Sequence, residues 1–116
     1  MKIRITEQTL RIRLSASDLQ DLSTQNVIRV SLPIGARDFT IQLNVQQSHS
    51  QGTANTTNFQ VDGDTEIHSD LDAINIHIPS TRLKPWIESR ETSLSTTLTY
   101  PNNRTLHLIV EKDYLG

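Results

Sequence analysis

The chain has 116 residues, with 34% hydrophobic residues, 21% charged residues and a formal net charge of −2. These values predict one soluble domain spanning 1–116 rather than a disordered or fibrous chain. The pI near 6.0 argues against general nucleic-acid binding, and the absence of cysteine excludes disulfides and thiolate metal sites. The sequence contains no long apolar run of the kind that would predict a membrane helix or a signal peptide. We therefore expect a cytoplasmic location.

Alternation of apolar and polar residues is the dominant pattern of the first half. It predicts half-buried strands over 2–5, 10–14, 28–32 and 39–45. Between the second and third strands, Ser15 is followed three residues later by Asp18, which is the pattern of a helix capping box. Leu19 and Leu22 then follow at helical spacing. The first half therefore predicts two strands, a short helix and two more strands.

The second half repeats this pattern after a polar segment. The segment 47–58 predicts a loop, and Asp62-Gly63 predicts a hairpin that returns at 65–67. At an offset of 64, the aliphatic residues of 74–78 repeat those of 10–14, and Leu83 and Trp86 repeat the two helix leucines. We therefore predict an internal duplication, with pseudo-repeats at about 9–46 and 73–112 joined by the polar loop and hairpin 47–72. Within the second helix, Pro85 predicts a short or late-starting helix, and Trp86 is expected to anchor it in the core.

The fold class predicted from these elements is α+β. About eight strands and two short helices are expected to form a mostly antiparallel sheet, strongly curved or barrel-like, built from two strand–helix–strand–strand units. The helices would cover its apolar face.

Basic residues at the N-terminus supply the candidate binding site. If the first two strands pair, four cations share the polar face, and a fifth adjoins them: Lys2, Arg4, Arg11, Arg13 and Arg29. Like charges on neighbouring strands repel, so this face requires an anion, water, or acidic groups such as Glu66 or Glu111. The functional interpretation is an anion- or phosphate-binding face, because arginine suits such ligands. The alternative is a solvated outer face with weak ion pairs.

Other candidate chemistry is weaker. The four histidines, His49, His68, His77 and His107, have no metal-ligand spacing. The acidic stretch 62–72 lacks the ligand order of a calcium loop. Neither a glycine-rich phosphate loop nor a nucleophile motif is present. The sequence therefore predicts no metal, no cofactor and no catalytic residue.

Both ends of the chain carry a resemblance. The segments Met1–Ile5, Leu10–Leu14 and Leu108–Tyr114 resemble a family of small, uncharacterised bacterial proteins. That family begins with a basic alternating strand pair, continues through a proline-started helix bearing a tryptophan, and ends in a Val-Glu-Lys-Asp-aromatic strand. Pro79 and Trp86 fit the middle element. The resemblance implies a compact fold and bacterial origin, and it supplies no activity.

Three functional hypotheses remain open from the sequence. The leading one is a non-enzymatic cytoplasmic binding module that uses its polar, partly basic sheet face, or a sheet edge, for an anionic small molecule or a protein partner. The second is a small metal-dependent phosphate-processing enzyme of tunnel-like architecture, which requires glutamates beside the arginines to hold Mg²⁺. The third is an oligomerising scaffold or immunity-like protein that forms a homodimer through a strand edge.

Overall fold

A computed structural model describes residues 1–46 and 65–113. These residues form eight strands and two α-helices, in the order β1 (Lys2–Thr6), β2 (Thr9–Leu14), α1 (Ala16–Gln25), β3 (Val27–Ile34), β4 (Arg37–Gln46), β5 (Glu66–Ser69), β6 (Ala73–Pro79), α2 (Ser80–Glu88), β7 (Ser93–Tyr100) and β8 (Arg104–Lys112). The polar loop 47–58 and the outgoing strand of the hairpin before 64 lie outside the described residues. No helix in the described ranges is long and apolar enough to cross a membrane.

The strands form two sheets rather than one. Sheet A has the order β1-β2-β8-β7, and sheet B has the order β3-β4-β6-β5. The prediction of a single curved or barrel-like sheet is therefore wrong, because two separate sheets form and neither closes. The α+β class, the strand and helix numbers and the mostly antiparallel pairing are confirmed, with parallel ladders only at β2–β8 and β4–β6 in the described part of the chain. Alternation reports which side of a strand is buried but not which strand lies next to it.

Each sheet is built from both halves of the chain. The first half runs β1-β2-α1-β3-β4, and the second half runs β5-β6-α2-β7-β8, so the element order is the same. Each helix connects a strand of one sheet to a strand of the other. The two parallel ladders at the centres of the sheets are where the two halves meet.

A single hydrophobic core lies between these elements. Both sheets and both helices contribute fully or nearly fully buried side chains to it: Leu10, Ile12, Leu14, Leu22, Ile41, Leu43, Val45, Ile76, Ile78, Leu83, Trp86, Leu108 and Val110. Complete burial of one such aliphatic side chain contributes about 1.5–3 kcal/mol. The prediction that Trp86 anchors the second helix in the core is confirmed.

Helix α1 begins at the predicted capping box. The Ser15 hydroxyl accepts from the Asp18 backbone N–H at 3.1 Å, and the Asp18 carboxylate accepts from the Ser15 N–H at 3.0 Å. The Met1 ammonium lies 2.7 Å from the same carboxylate. Burial by itself would raise the pKa of Asp18, but the ammonium and the hydrogen bonds from Ser15 outweigh it and lower the pKa. The helix ends at Asn26 in a left-handed conformation, φ 64°, whose N–H donates to the Leu22 carbonyl.

Helix α2 contains Pro85, which lacks the N–H that would bond to the Thr81 carbonyl. The helix is short, as predicted, and its C-terminal end is held by Lys112 of β8. The Lys112 ammonium donates to the carbonyl oxygens of Trp86 at 2.8 Å and Ser89 at 2.7 Å. It also lies 4.9 Å from the Trp86 ring centroid. A cation at this helix end complements the negative end of the helix dipole.

Candidate functional site

The polar side of sheet A carries four basic residues on its first two strands. In the β1–β2 ladder, Lys2 lies directly opposite Arg13, and Arg4 lies directly opposite Arg11. Directly paired residues project to the same side of a sheet, so these four side chains form one surface, hereafter the basic face. On the other side of β2, Leu10, Ile12 and Leu14 are buried, as the alternation predicts.

Two carboxylates from the end of the chain reach the basic face. Glu111 of β8 pairs with Arg13 across the parallel ladder. Its carboxylate accepts from Arg13 Nε at 3.2 Å and lies 3.7 Å from Arg11 Nη1. Asp113 accepts from Lys2 Nζ at 3.2 Å. Glu111 is thus one of the two compensating acids that the sequence suggested, and Asp113 is one that it did not.

Among the described residues, the positive charge of this face is only partly compensated. The basic face carries four positive charges, whereas Glu111 and Asp113 supply two negative charges. Arg4 has no ion pair within 4.0 Å among the described residues, and it faces Arg11 across the ladder. Arg4 and the other three basic residues, together with Ile3, line a shallow surface depression of about 200 Å³. The described residues therefore give this depression a net positive charge.

Arg29 does not join the other four basic residues. It lies on β3, at the edge of sheet B, and pairs with Gln42. With Asp18 and Asp21 of α1, it lines a different cleft. Glu66 is also on sheet B, where its carboxylate oxygen Oε1 lies 3.0 Å from His68 Nε2. The sequence could not separate these residues from the basic face because it did not reveal the division into two sheets.

The outer face of sheet B is polar but has little charge. Gln42 donates to the Asn44 side chain at 2.8 Å, and Asn44 donates to the Ile76 carbonyl at 3.3 Å. His77 meets His68 edge to face, with ring centroids 5.4 Å apart. Burial lowers the pKa of His77, the neighbouring His68 lowers it further, and Glu66 partly opposes them.

Metal binding finds little support in the described ranges. Within them, no group of three or more His, Asp or Glu side chains is arranged to hold an ion. On the basic face, both Glu111 and Asp113 already contact cationic side chains. His49 lies outside the described residues, and His107 bonds with Thr97 at 3.2 Å.

The three consecutive charged residues Glu111, Lys112 and Asp113 contact two different parts of the fold. Glu111 and Asp113 lie with the basic face, while Lys112 points inward and holds the end of α2. Sequence reasoning missed the inward lysine, although its phase with Leu108 and Val110 was visible. Alternation along β8 explains why three consecutive charged residues serve two different surfaces.

Comparison with known proteins gives one match. A family model described as a family of unknown function matches residues 1–115. This confirms the resemblance to an uncharacterised family. No curated protein and no solved structure matches the chain.

Proposed function

The chain belongs to the family of unknown function DUF7009, and we propose that it is a binding module whose basic face holds a phosphate-bearing anion. The observation that carries the proposal is the direct pairing of Lys2 with Arg13 and of Arg4 with Arg11. Like charges placed directly opposite each other destabilise a sheet. An arrangement that places two such pairs side by side favours a ligand that neutralises them.

Arginine is the side chain suited to this ligand. Its planar guanidinium presents paired N–H donors that match phosphate oxygens. Arg13 uses Nε for Glu111, and Arg4 has no carboxylate within 4.0 Å among the described residues. The depression of about 200 Å³ brings both arginines, Arg11 and Lys2 around one volume. A compact polyanion can therefore contact several cations at once.

Tripolyphosphate is the first probe for this proposal, followed by ATP and a short DNA duplex. In ¹⁵N–¹H spectra without divalent metal, we expect the backbone signals of Arg4, Arg11 and Arg13 to shift on titration. The shifts should weaken as NaCl is added, because salt screens exposed charges. A ³¹P spectrum that stays unchanged during incubation with Mg²⁺ separates binding from hydrolysis.

The variant Arg4→Gln/Arg11→Gln removes one of the opposed pairs. We expect its affinity for tripolyphosphate to fall about tenfold or more per arginine, since a hydrogen bond to a charged group contributes about 1.5–3 kcal/mol. Its free energy of unfolding should change by less than about 1 kcal/mol, because the removed repulsion between the two arginines offsets the lost contact between Arg11 and Glu111. Loss of binding is thereby distinguished from loss of fold.

The matched control is Arg29→Gln/Arg37→Gln, which removes the same charge from sheet B. Arg29 lines another cleft, and Arg37 pairs with Asp72 at 3.1 Å. An equal loss of affinity in this control would show that binding depends only on the net charge of the protein, and it would overturn the proposal. So would an absence of shifts at Arg11 and Arg13 with all three anions.

A further inference from the structure

The last strand of sheet A leaves one edge without a strand partner in the described part of the chain. β7 pairs with β8 and with no other described strand. The Lys112 N–H donates to the Thr92 carbonyl at 2.9 Å. This bond shows which residues of β7 direct their backbone groups toward β8. Even-numbered residues of β7 therefore bond to β8. Ser95, Thr97 and Thr99 direct their backbone N–H and C=O groups to the free edge.

A cleft of about 320 Å³ runs along this free edge. It is lined by Thr96, Thr97, Leu98, Thr99 and Tyr100 of β7, by Arg82 of α2, and by Thr65 and Glu66 at the start of β5. Edge strands are commonly protected by charged side chains or by proline. The residues of β7 in this cleft carry no charge and no proline, so the described part of the chain leaves this edge open to pairing.

Arg82 stands at one end of the cleft with its charge unbalanced. Its Nη1 donates to the Thr96 hydroxyl at 2.7 Å, and its Nη2 donates to the Ser95 carbonyl at 3.3 Å. Both acceptors are neutral, and no carboxylate of the described residues lies within 4.0 Å of the guanidinium. A guanidinium has five N–H donors, so Arg82 retains donors for a ligand. Glu66 also lines the cleft, where it contacts His68 at 3.0 Å.

Thr65 adds a second, independent observation. The residue lines the cleft and is only 8% exposed, and its buried hydroxyl oxygen has no hydrogen-bond partner among the described residues. A buried polar group without a partner costs about 1–3 kcal/mol. A ligand oxygen in the cleft would remove this cost once the Thr65 side chain rotates about χ1 and brings its hydroxyl to the cleft.

The corresponding place in the other half of the fold shows the opposite polarity. Asp18 of α1 holds the position that Arg82 holds on α2, at the offset of 64 that relates β2 to β6. There the helix carboxylate meets an ammonium group at 2.7 Å. In the cleft beside β7 the helix residue is the cation, so the complementary ligand group is an anion.

We propose that this cleft binds the carboxyl-terminal end of an extended peptide, which adds to β7 as a fifth strand of sheet A. The peptide backbone pairs with Thr97 and Thr99, and its terminal carboxylate lies at Arg82. Because Arg82 contacts the Ser95 end of the edge, the peptide runs antiparallel to β7. Main-chain pairing gives such a site its affinity, and the carboxylate fixes its register.

The probe is the pentapeptide acetyl-TVTVV with a free carboxylate, titrated into the ¹⁵N-labelled chain. We expect shifts of the backbone amides of Thr97 and Thr99 and of the Arg82 Nε–H. The same peptide with a carboxyl-terminal amide should bind at least tenfold more weakly, and acetate should not shift Thr99. Equal binding of the acid and the amide would overturn the proposal, and acetate alone matching the peptide would overturn strand addition.

Two variants separate the parts of the site. Arg82→Gln should lower the peptide affinity at least tenfold, whereas Arg104→Gln, which removes a charge outside this cleft, should leave it unchanged. Thr99→Pro removes an outward N–H, whereas Ser93→Pro removes one beyond the cleft, so only the first should abolish binding. Should Arg82→Gln fail to fold, the acid and amide peptides on the parent chain and the proline pair still decide the outcome.

Discussion

The two sheets share a strand plan and differ in the chemistry of their outer faces. The residues of sheet B that correspond to the basic face, at a constant offset of 64, are Glu66, His68, Asn75 and His77. Beneath these positions both sheets bury aliphatic side chains, Ile12 in sheet A and Ile76 in sheet B among them. Most core positions require only apolar volume, so they stay alike in the two sheets. The outer positions are free of that requirement, and of these two sets of four positions only the set on sheet A consists of lysine and arginine.

The largest expected effect tests whether the two sheets contribute equally to the single core. Ile12→Ala and Ile76→Ala each empty a site that is 0% exposed. Each should lower the free energy of unfolding by about 2–5 kcal/mol, and the two losses should be similar. Urea denaturation followed by circular dichroism measures both. A loss below about 1 kcal/mol for either variant would contradict the symmetry of the core.

A second test uses a position where the two inner faces differ. Lys112 of sheet A corresponds to Val45 of sheet B, and both are buried. Lys112→Met removes the ammonium group that donates to the carbonyl oxygens of Trp86 and Ser89. The free energy of unfolding should fall by about 1.5–3 kcal/mol. Ile78→Met, a swap of similar volume at a buried position of sheet B, is the control and should cost less than about 1.5 kcal/mol. If both variants unfold at the same urea concentration as the parent, Lys112 does not hold α2.

The third test changes the charge balance of the basic face. Glu111→Gln removes the carboxylate shared by Arg11 and Arg13. We expect a loss of stability of about 1 kcal/mol or less, as for other surface ion pairs. Affinity for tripolyphosphate should rise about fivefold, since a nearby like charge has been removed. Isothermal titration measures the affinity, and Asp72→Asn, which breaks the exposed pair with Arg37 on sheet B, should leave it unchanged.

The smallest expected effect is a pH dependence on sheet B. The pKa of His77 is lowered, first by burial and then by His68. The unfolded chain then binds a proton at His77 before the folded chain does, so stability is complete above pH about 6.5 and falls as the pH drops below that value. His77→Gln should flatten this slope in urea titrations between pH 7 and pH 5. If the slope of stability against pH is unchanged in this variant, a group other than His77 causes the pH dependence.

Local features of the fold could be predicted from the sequence, and long-range ones could not. The capping box at Ser15 and the strand positions follow from neighbouring residues, which the sequence displays directly. The pairing of β2 with β8 joins Leu14 to Lys112, and no local pattern encodes that choice. The pairing of Lys2 with Arg13 needed only one hairpin and was predictable, whereas the position of Arg29 depended on the division into two sheets.

The cleft beside β7 could not be predicted from the sequence for the same reason. Arg82 and Thr65 are far apart in the chain and carry no motif, and only the packing of α2 against the two sheets brings them to one place. The charge of Glu111 was noticed because its alternation is local. The inward direction of Lys112 follows from the same alternation, although a run of three charged residues suggests a fully exposed strand end.

Because a parallel ladder at the centre of each sheet joins the two halves of the chain, the two sheets become complete at different times during synthesis. Sheet B has all of its strands once residue 79 has been added, whereas sheet A waits for β8, which ends at Lys112. Contacts between distant segments are slow to form because a long loop must close first. Until then the hairpin of β1 and β2 would emerge from the ribosome with its aliphatic side bare, and a nascent chain is most prone to aggregate in that interval.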